Sequence, residues 1–151
     1  MRAINHALTG AVIGLTISEP VMAVPAALAS HYICDIIPHY GPRKRGVAML
    51  CSAKFRWLLI ADAILCVGLV LWLVISRPFN WPLAVICAFL AAAPDLLAIN
   101  RYRRALTHKP WKASWYSKFA VGIQWYERPP GAVVEIAWFI AVMIVLLPFL
   151  K

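Results

Sequence analysis

The sequence predicts an all-α, polytopic membrane protein. Its parts are two antiparallel helical hairpins, a C-terminal transmembrane helix and a short interfacial amphipathic helix, all in one domain over residues 1–151. Three observations predict it. First, hydrophobic residues make up 63% of the chain and charged residues 14%, against roughly 45–50% and about 25% in soluble domains. A small soluble globule needs more polar residues than that to cover its surface. Second, the apolar residues gather in long stretches with short breaks. Third, the basic residues behind the net charge of +9 gather in two connections. Soluble, disordered, collagen-like and disulfide-scaffold classes are excluded together.

The first apolar stretch covers residues 3–17, about 22 Å if helical. Its Arg2, apolar run and small-residue tract resemble a secretory signal. Glu19, Pro20 and Pro25 interrupt that run, so it is read as a retained helix. Ser18-Glu19-Pro20 breaks it from the second stretch, 20–38, and the first basic connection, 40–56, follows. The third stretch, 57–76, is separated from the fourth, 81–99, by Ser76-Arg77-Pro78-Phe79-Asn80. Breaks this short make antiparallel hairpins. The second basic connection, 100–129, leads to the last stretch, 130–150. Stretches two to five can cross a hydrocarbon core of roughly 30 Å.

Within the second connection, Trp115, Phe119, Ile123 and Tyr126 recur at near-helical spacing among Lys112, Lys118 and Gln124. That pattern predicts an amphipathic helix in 111–126, lying among headgroups. Trp57, Trp81, Trp111 and Trp125 suit an aromatic belt.

Arg2, the first connection (Arg43, Lys44, Arg45, Lys54, Arg56) and the second (Arg101, Arg103, Arg104, Lys109, Lys112, Lys118, Arg128) hold 13 of the 15 basic residues; Arg77 and Lys151 fall opposite. Positive charge marks the cytoplasmic side. The expectation is therefore a multi-pass protein of the cytoplasmic (inner) membrane with a cytoplasmic N-terminus. The basic loops would meet anionic lipid headgroups. No nucleic-acid motif accompanies the charge, so no nucleic-acid partner is expected. Cys34, Cys51, Cys66 and Cys87 show no paired spacing and read as small hydrophobes.

The acidic residues carry the functional signal. Asp35, Asp62, Asp95 and Glu135 lie inside predicted spanning helices, where a central charge costs about 2.5–3.5 kcal/mol. Each falls about one turn from the cytoplasmic end, at the depth of His6 and His31. A turn at 18–19 makes His6 face His31, Gly10 face Ala27, and Gly14 face Ala23. Small pairs of this kind let helices approach closely. A turn at 78–79 makes Asp62 face Asp95, with Cys66 against Ala91 and Leu69 against Ala88. On the second helix, Ala23, Ala27, His31, Asp35 and His39 follow one i, i+4 stripe.

A His-x-x-x-Asp pair can present nitrogen and oxygen to one ion. The candidate metal ligands are His6, His31, Asp35, Asp95 and His39. Two carboxylates in low dielectric repel unless one is protonated or a cation lies between them. The expected cofactor is a divalent metal, zinc by ligand type, with manganese the alternative. Asp62 or Asp95, whichever is not a ligand, would act as general base, so both are candidate catalytic residues. Ordinary roles compete. Asp62 and Asp95 could share a proton, the histidines could bond between helices, His39 and His108 could be solvated, and Glu135 could pair with an arginine.

The stretches Asn5-His6-Ala7-Leu8-Thr9-Gly10, Ser30-His31-Tyr32-Ile33-Cys34-Asp35-Ile36-Ile37-Pro38-His39-Tyr40-Gly41 and Ala93-Pro94-Asp95-Leu96 resemble motifs of a bacterial family. Its members are small inner-membrane proteins described as membrane-bound metal-dependent hydrolases. The resemblance covers about the first hundred residues. The family usually places its Pro-Asp element before its Ser-His element, and here it follows. The family's His-Arg-x-x-Thr-His-Ser segment has only Leu106-Thr107-His108-Lys109 in its place. The resemblance implies His6, His31, Asp35 and Asp95 as ligands. The leading expectation is a membrane-embedded hydrolase acting near the cytoplasmic face, with a lipid phosphoester as substrate. The alternatives are a small proton or metal-ion transport protein, which would need an intramembrane relay, and a non-catalytic scaffold with polar helix packing.

Overall fold

A computed structural model describes residues 1–41, 51–107, 109–110 and 112–150, the side chains of Arg101 and Ala105 excepted. Arg43, Lys44, Arg45, His108, Trp111 and Lys151, assigned above to the connections and the C-terminus, lie outside the described residues. The described chain is all-helical. Its helices are α1 (Ala3–Thr16), α2 (Pro20–Ile36), α3 (Ala53–Ser76), α4 (Trp81–Leu96), α5 (Ile99–Leu106), α6 (Trp115–Ile123) and α7 (Gly131–Leu146), with a 3-10 turn over Leu147–Leu150.

All the predicted apolar stretches form helices, with shifted ends. α2 stops at Ile36, because Pro38 disfavours helix in the residue before it. α3 starts earlier than expected, at Ala53, where the Ser52 hydroxyl accepts from the Phe55 amide at 3.2 Å and so caps the helix. α5 falls where the sequence pattern predicts a basic connection. Its Arg101, Arg103 and Arg104 read as loop charge, yet arginine is a good helix former. α6 lies inside the predicted amphipathic segment and is capped by Ser114.

Among the described residues, two helices are long and apolar enough to cross a membrane. They are α3, with 24 residues at mean hydropathy 2.8, and α7 with its 3-10 turn, 20 residues at 2.6. α1, α2 and α4 are apolar but shorter. The burial pattern inverts that of a soluble bundle. Val67 and Ile75 on α3 and Val133 and Ile136 on α7 are exposed, while Ile4, Ala7, Leu8, Ala11 and Leu15 of α1 are buried. The centre of a bundle suits a helix whose small residues let neighbours pack closely. α1 holds that place, with α2, α3, α4 and α7 around it.

The small-residue stripe of α1 does not face α2 as the hairpin argument expects. It faces α4. A β-carbon on Gly10 would collide with the Cys87 carbonyl and lie 2.7 Å from the Ala91 β-carbon. One on Gly14 would lie 2.6 Å from the Ala84 α-carbon. Ala23 and Ala27 of α2 also pack against α4, on Leu83 and Cys87. Small residues permit close approach, but they do not name the partner. Here α4 offers its own small stripe to both helices of the first hairpin.

The second hairpin turns through Arg77 and Asn80, both in the left-handed region at φ 46° and 60°. Asn80 Nδ2 donates to the Ser18 hydroxyl at 3.2 Å, tying the two hairpin turns together. At the opposite end the chain after α2 runs beside the chain before α7. The His39 amide donates to the Tyr126 carbonyl and the Arg128 amide to the His39 carbonyl, each at 3.2 Å.

Candidate metal centre

The antiparallel course of the helices brings polar residues from distant parts of the chain to one end. His6 lies in the first turn of α1. His31 and Asp35 lie in the last turns of α2, and Asp95 in the last turn of α4. The His6 and His31 rings stack with centroids 4.1 Å apart. One ligand atom each from His6, His31 and Asp95 fall within 4.8 Å of one another.

His31 is 3% exposed. Its Nδ1 lies 2.8 Å from the Ala91 carbonyl oxygen. A carbonyl only accepts, so Nδ1 carries the proton of that bond. In the neutral ring Nε2 then presents a lone pair. It points at oxygens, with Asp35 Oδ2 at 3.4 Å and Asp95 Oδ1 at 4.0 Å. Lone pairs facing lone pairs require a proton or a cation between them. Backbone anchoring of the other ring nitrogen is the usual support of a metal-binding histidine.

His6 is 0% exposed, and neither of its ring nitrogens makes a hydrogen bond among the described residues. Its Nε2 lies 3.2 Å from Asp35 Oδ1, but not in hydrogen-bonding geometry. A buried imidazole whose nitrogens lack well-formed hydrogen bonds is costly, and a bound cation would remove that cost. Asp35 lies against both histidines. It also accepts from Gln124 Nε2 at 3.0 Å and contacts the Met1 amino group. Asp95 is half-buried and is the group most open to incoming molecules. A cavity of about 110 Å³ adjoins it, bordered by His31, Asp35, Tyr116, Ser117 and Gln124. Burial, and after it a hydrogen bond with Tyr32, push the Tyr116 phenol above its usual range. It stays protonated and can donate.

The remaining candidates lie elsewhere. Asp62 is engaged at the start of α1. It accepts from the Ala3 amide at 3.0 Å and the Ile4 amide at 3.4 Å, and lies 3.4 Å from Arg2 Nε. Those amides are orphan donors at the start of α1, so Asp62 acts as a cap supplied by a neighbouring helix. His39 is buried outside the cluster, its Nδ1 2.8 Å from the Ile37 carbonyl oxygen. Burial pushes its pKa below the usual value of 6.5. Glu135 Oε1 accepts the Arg2 amide at 2.9 Å. Sequence reasoning missed Gln124 and Tyr116, whose partners lie far away in the chain. The polar face of the amphipathic segment was the only signal for them.

Two histidines and a carboxylate, with a fourth group alongside, are a donor set suited to a borderline divalent ion. Comparison with protein-family models, with curated proteins and with solved structures finds no match to this chain.

Proposed function

We propose that the chain is a polytopic protein of the inner membrane that holds a divalent cation between His6, His31 and Asp95 and serves as a metal-dependent hydrolase near the cytoplasmic face. One observation carries the reading. A fully buried His6 without a hydrogen bond stacks on a His31 whose Nδ1 is anchored to the Ala91 carbonyl and whose Nε2 faces carboxylate oxygens. Zinc suits the donors, with manganese the alternative.

A divalent ion held there supplies Lewis acidity, the property by which such sites activate water near neutral pH. The other roles fall to the chain. The Ala91 carbonyl orients His31, and Asp35 braces both imidazoles while Gln124 holds its second oxygen. Asp95, the most open of these groups, borders the cavity and faces whatever enters it. Tyr116 borders the same cavity and can donate to an anionic group. The cavity lies beside interfacial α6, where a lipid phosphoester would present its headgroup.

The test is metal content of the purified full chain, with lipid phosphoester hydrolysis measured alongside. About one zinc or manganese per chain is expected in the wild type, reduced at least tenfold in His31→Ala and His6→Ala. Hydrolysis should vanish on chelation and return with metal. Equal, substoichiometric metal in all three proteins sinks the metal site. Full metal without hydrolysis sinks the enzyme while leaving the site.

A further inference from the structure

A second site lies on the other side of α1. α3 and α7, the helices with the length to cross a bilayer, both pack on α1. Between them lies a cleft of about 320 Å³, within the size range of ligand pockets. Its walls are apolar, with Leu58 and Leu65 on one side and Ile136 and Phe139 on the other, and its polar end is formed by Arg2, Asn5 and Glu135.

Tyr40 also borders that polar end, but the acceptors deeper in it outnumber their donors. Asn5 is 2% exposed and its Oδ1 has no hydrogen-bond partner, while its Nδ2 donates to the Glu135 carbonyl at 3.2 Å. Glu135 is buried and uses one oxygen for the Arg2 amide. Arg2 is drawn toward Asp62, 3.4 Å from its Nε, and its Nη2 donates to the Leu58 carbonyl at 3.3 Å. The Arg2 Nε is buried without a hydrogen bond. One guanidinium thus stands among two carboxylates and an unpaired amide oxygen. The complement is a group rich in N–H donors that also carries one phosphate.

We infer that this cleft binds a bilayer lipid bearing a primary ammonium, of the phosphatidylethanolamine type. One acyl chain lies between α3 and α7. The ammonium donates to Asn5 Oδ1 and Glu135, and the phosphate faces Arg2. The inference rests on the membrane reading above, but not on the metal.

The test uses the full chain, floated with liposomes, then stripped of lipid in detergent. It is offered an equimolar mixture of phosphatidylethanolamine, phosphatidylcholine and phosphatidylglycerol with identical acyl chains, and bound lipid is read by native mass spectrometry. Phosphatidylcholine keeps the phosphate and the net charge but lacks N–H donors. About one phosphatidylethanolamine per chain is expected, retained at least tenfold over phosphatidylcholine. Glu135→Gln, which preserves shape, and Asn5→Leu should each erase most of that preference. Ala132→Trp, at the cleft wall, should abolish retention of every lipid.

Equal retention of phosphatidylethanolamine and phosphatidylcholine, or a preference for phosphatidylglycerol, overturns the inference. So does unchanged binding in Ala132→Trp, or no lipid retained. A chain that fails to float with liposomes overturns the membrane reading itself. A chain that floats but shows no preference overturns this inference alone.

Discussion

Gly10→Ala adds only one carbon and two hydrogens, yet it tests the packing and the metal centre together. The new β-carbon would collide with the Cys87 carbonyl and sit 2.7 Å from the Ala91 β-carbon. Carbon atoms rest at about 3.5–4.0 Å, so α1 and α4 must separate by about 1 Å. The obstacle is backbone, which cannot swing aside as a side chain would. Overpacking of this kind costs about 1–3 kcal/mol. Alanine recovers about 0.5–1 kcal/mol of helix propensity. The net expectation is a loss of up to about 2.5 kcal/mol, the remainder after that recovery is set against the overpacking cost. A second effect follows from position, because the Ala91 carbonyl is the group that anchors His31 Nδ1. Loss of such a supporting bond weakens metal affinity by about 10–100-fold. The control is Gly68→Ala on α3, where an added β-carbon meets nothing within 4 Å; it should stabilise by up to about 1 kcal/mol. The assay is unfolding in mixed micelles for all three proteins, with metal titration by calorimetry. If Gly10→Ala proves as stable as Gly68→Ala and binds metal like the wild type, the close α1–α4 contact does not exist and the argument fails.

The other predictions concern single contacts. Asp62→Ala removes the acceptor at the start of α1 and should cost about 0.5–2 kcal/mol in the same unfolding assay, with metal content unchanged. Activity lost at full stability would instead make Asp62 the general base. Trp138→Phe removes the indole N–H bond to the Thr9 hydroxyl at 3.1 Å, an interhelical bond of the kind averaging about 0.6 kcal/mol in membranes. A Thr9→Val, Trp138→Phe cycle should return a coupling of about that size, and additive effects would refute the bond. His39 is held below its usual pKa of 6.5 by burial, so folding favours its neutral ring. Stability from this group is full above the unfolded value and is lost as pH falls through the lowered folded value. Unfolding midpoints of wild type and His39→Gln across pH 4–8 should diverge in slope only on the acid side, and parallel curves would remove His39 as the cause.

The layer of polar residues was legible because the hairpin argument depends only on helix rise and turn position. A turn at 18–19 puts His6 opposite His31, and their rings stack at 4.1 Å. The same arithmetic, applied to Asp62 and Asp95, does not say what Asp62 bonds to. Height along a helix says nothing of rotation about its axis, and Asp62 is turned toward the start of α1. The amide donors there form a positive helix end, and a carboxylate at that depth gains more from them than from a second carboxylate. Gln124 and Tyr116 were out of reach for another reason. Their contacts depend on how α6 folds back over α2, and nothing in a local pattern sets that angle.

The glycine stripe shows where a stronger reading was available. Gly10 and Gly14 demand a close neighbour, and two stripes could answer. Ala23 and Ala27 offer two small residues. Ala84, Cys87, Ala88 and Ala91 on α4 offer four, all buried. In lipid, helices associate through backbone proximity and van der Waals contact rather than hydrophobic burial, so the longer stripe supports contact over more turns. Connectivity favours α2 only through loop closure, a cost that grows slowly with length, by about 0.6 kcal/mol per doubling. The extra turn of close contact outweighs that. The consequence reaches the site. With α4 against the backbones of both α1 and α2, its Ala91 carbonyl can orient His31 and its Asp95 can join a pair of histidines that come from the other two helices. A site assembled from three helices is only as well defined as the contact of α1 with α4, and that contact depends on there being no side chain at residues 10 and 14.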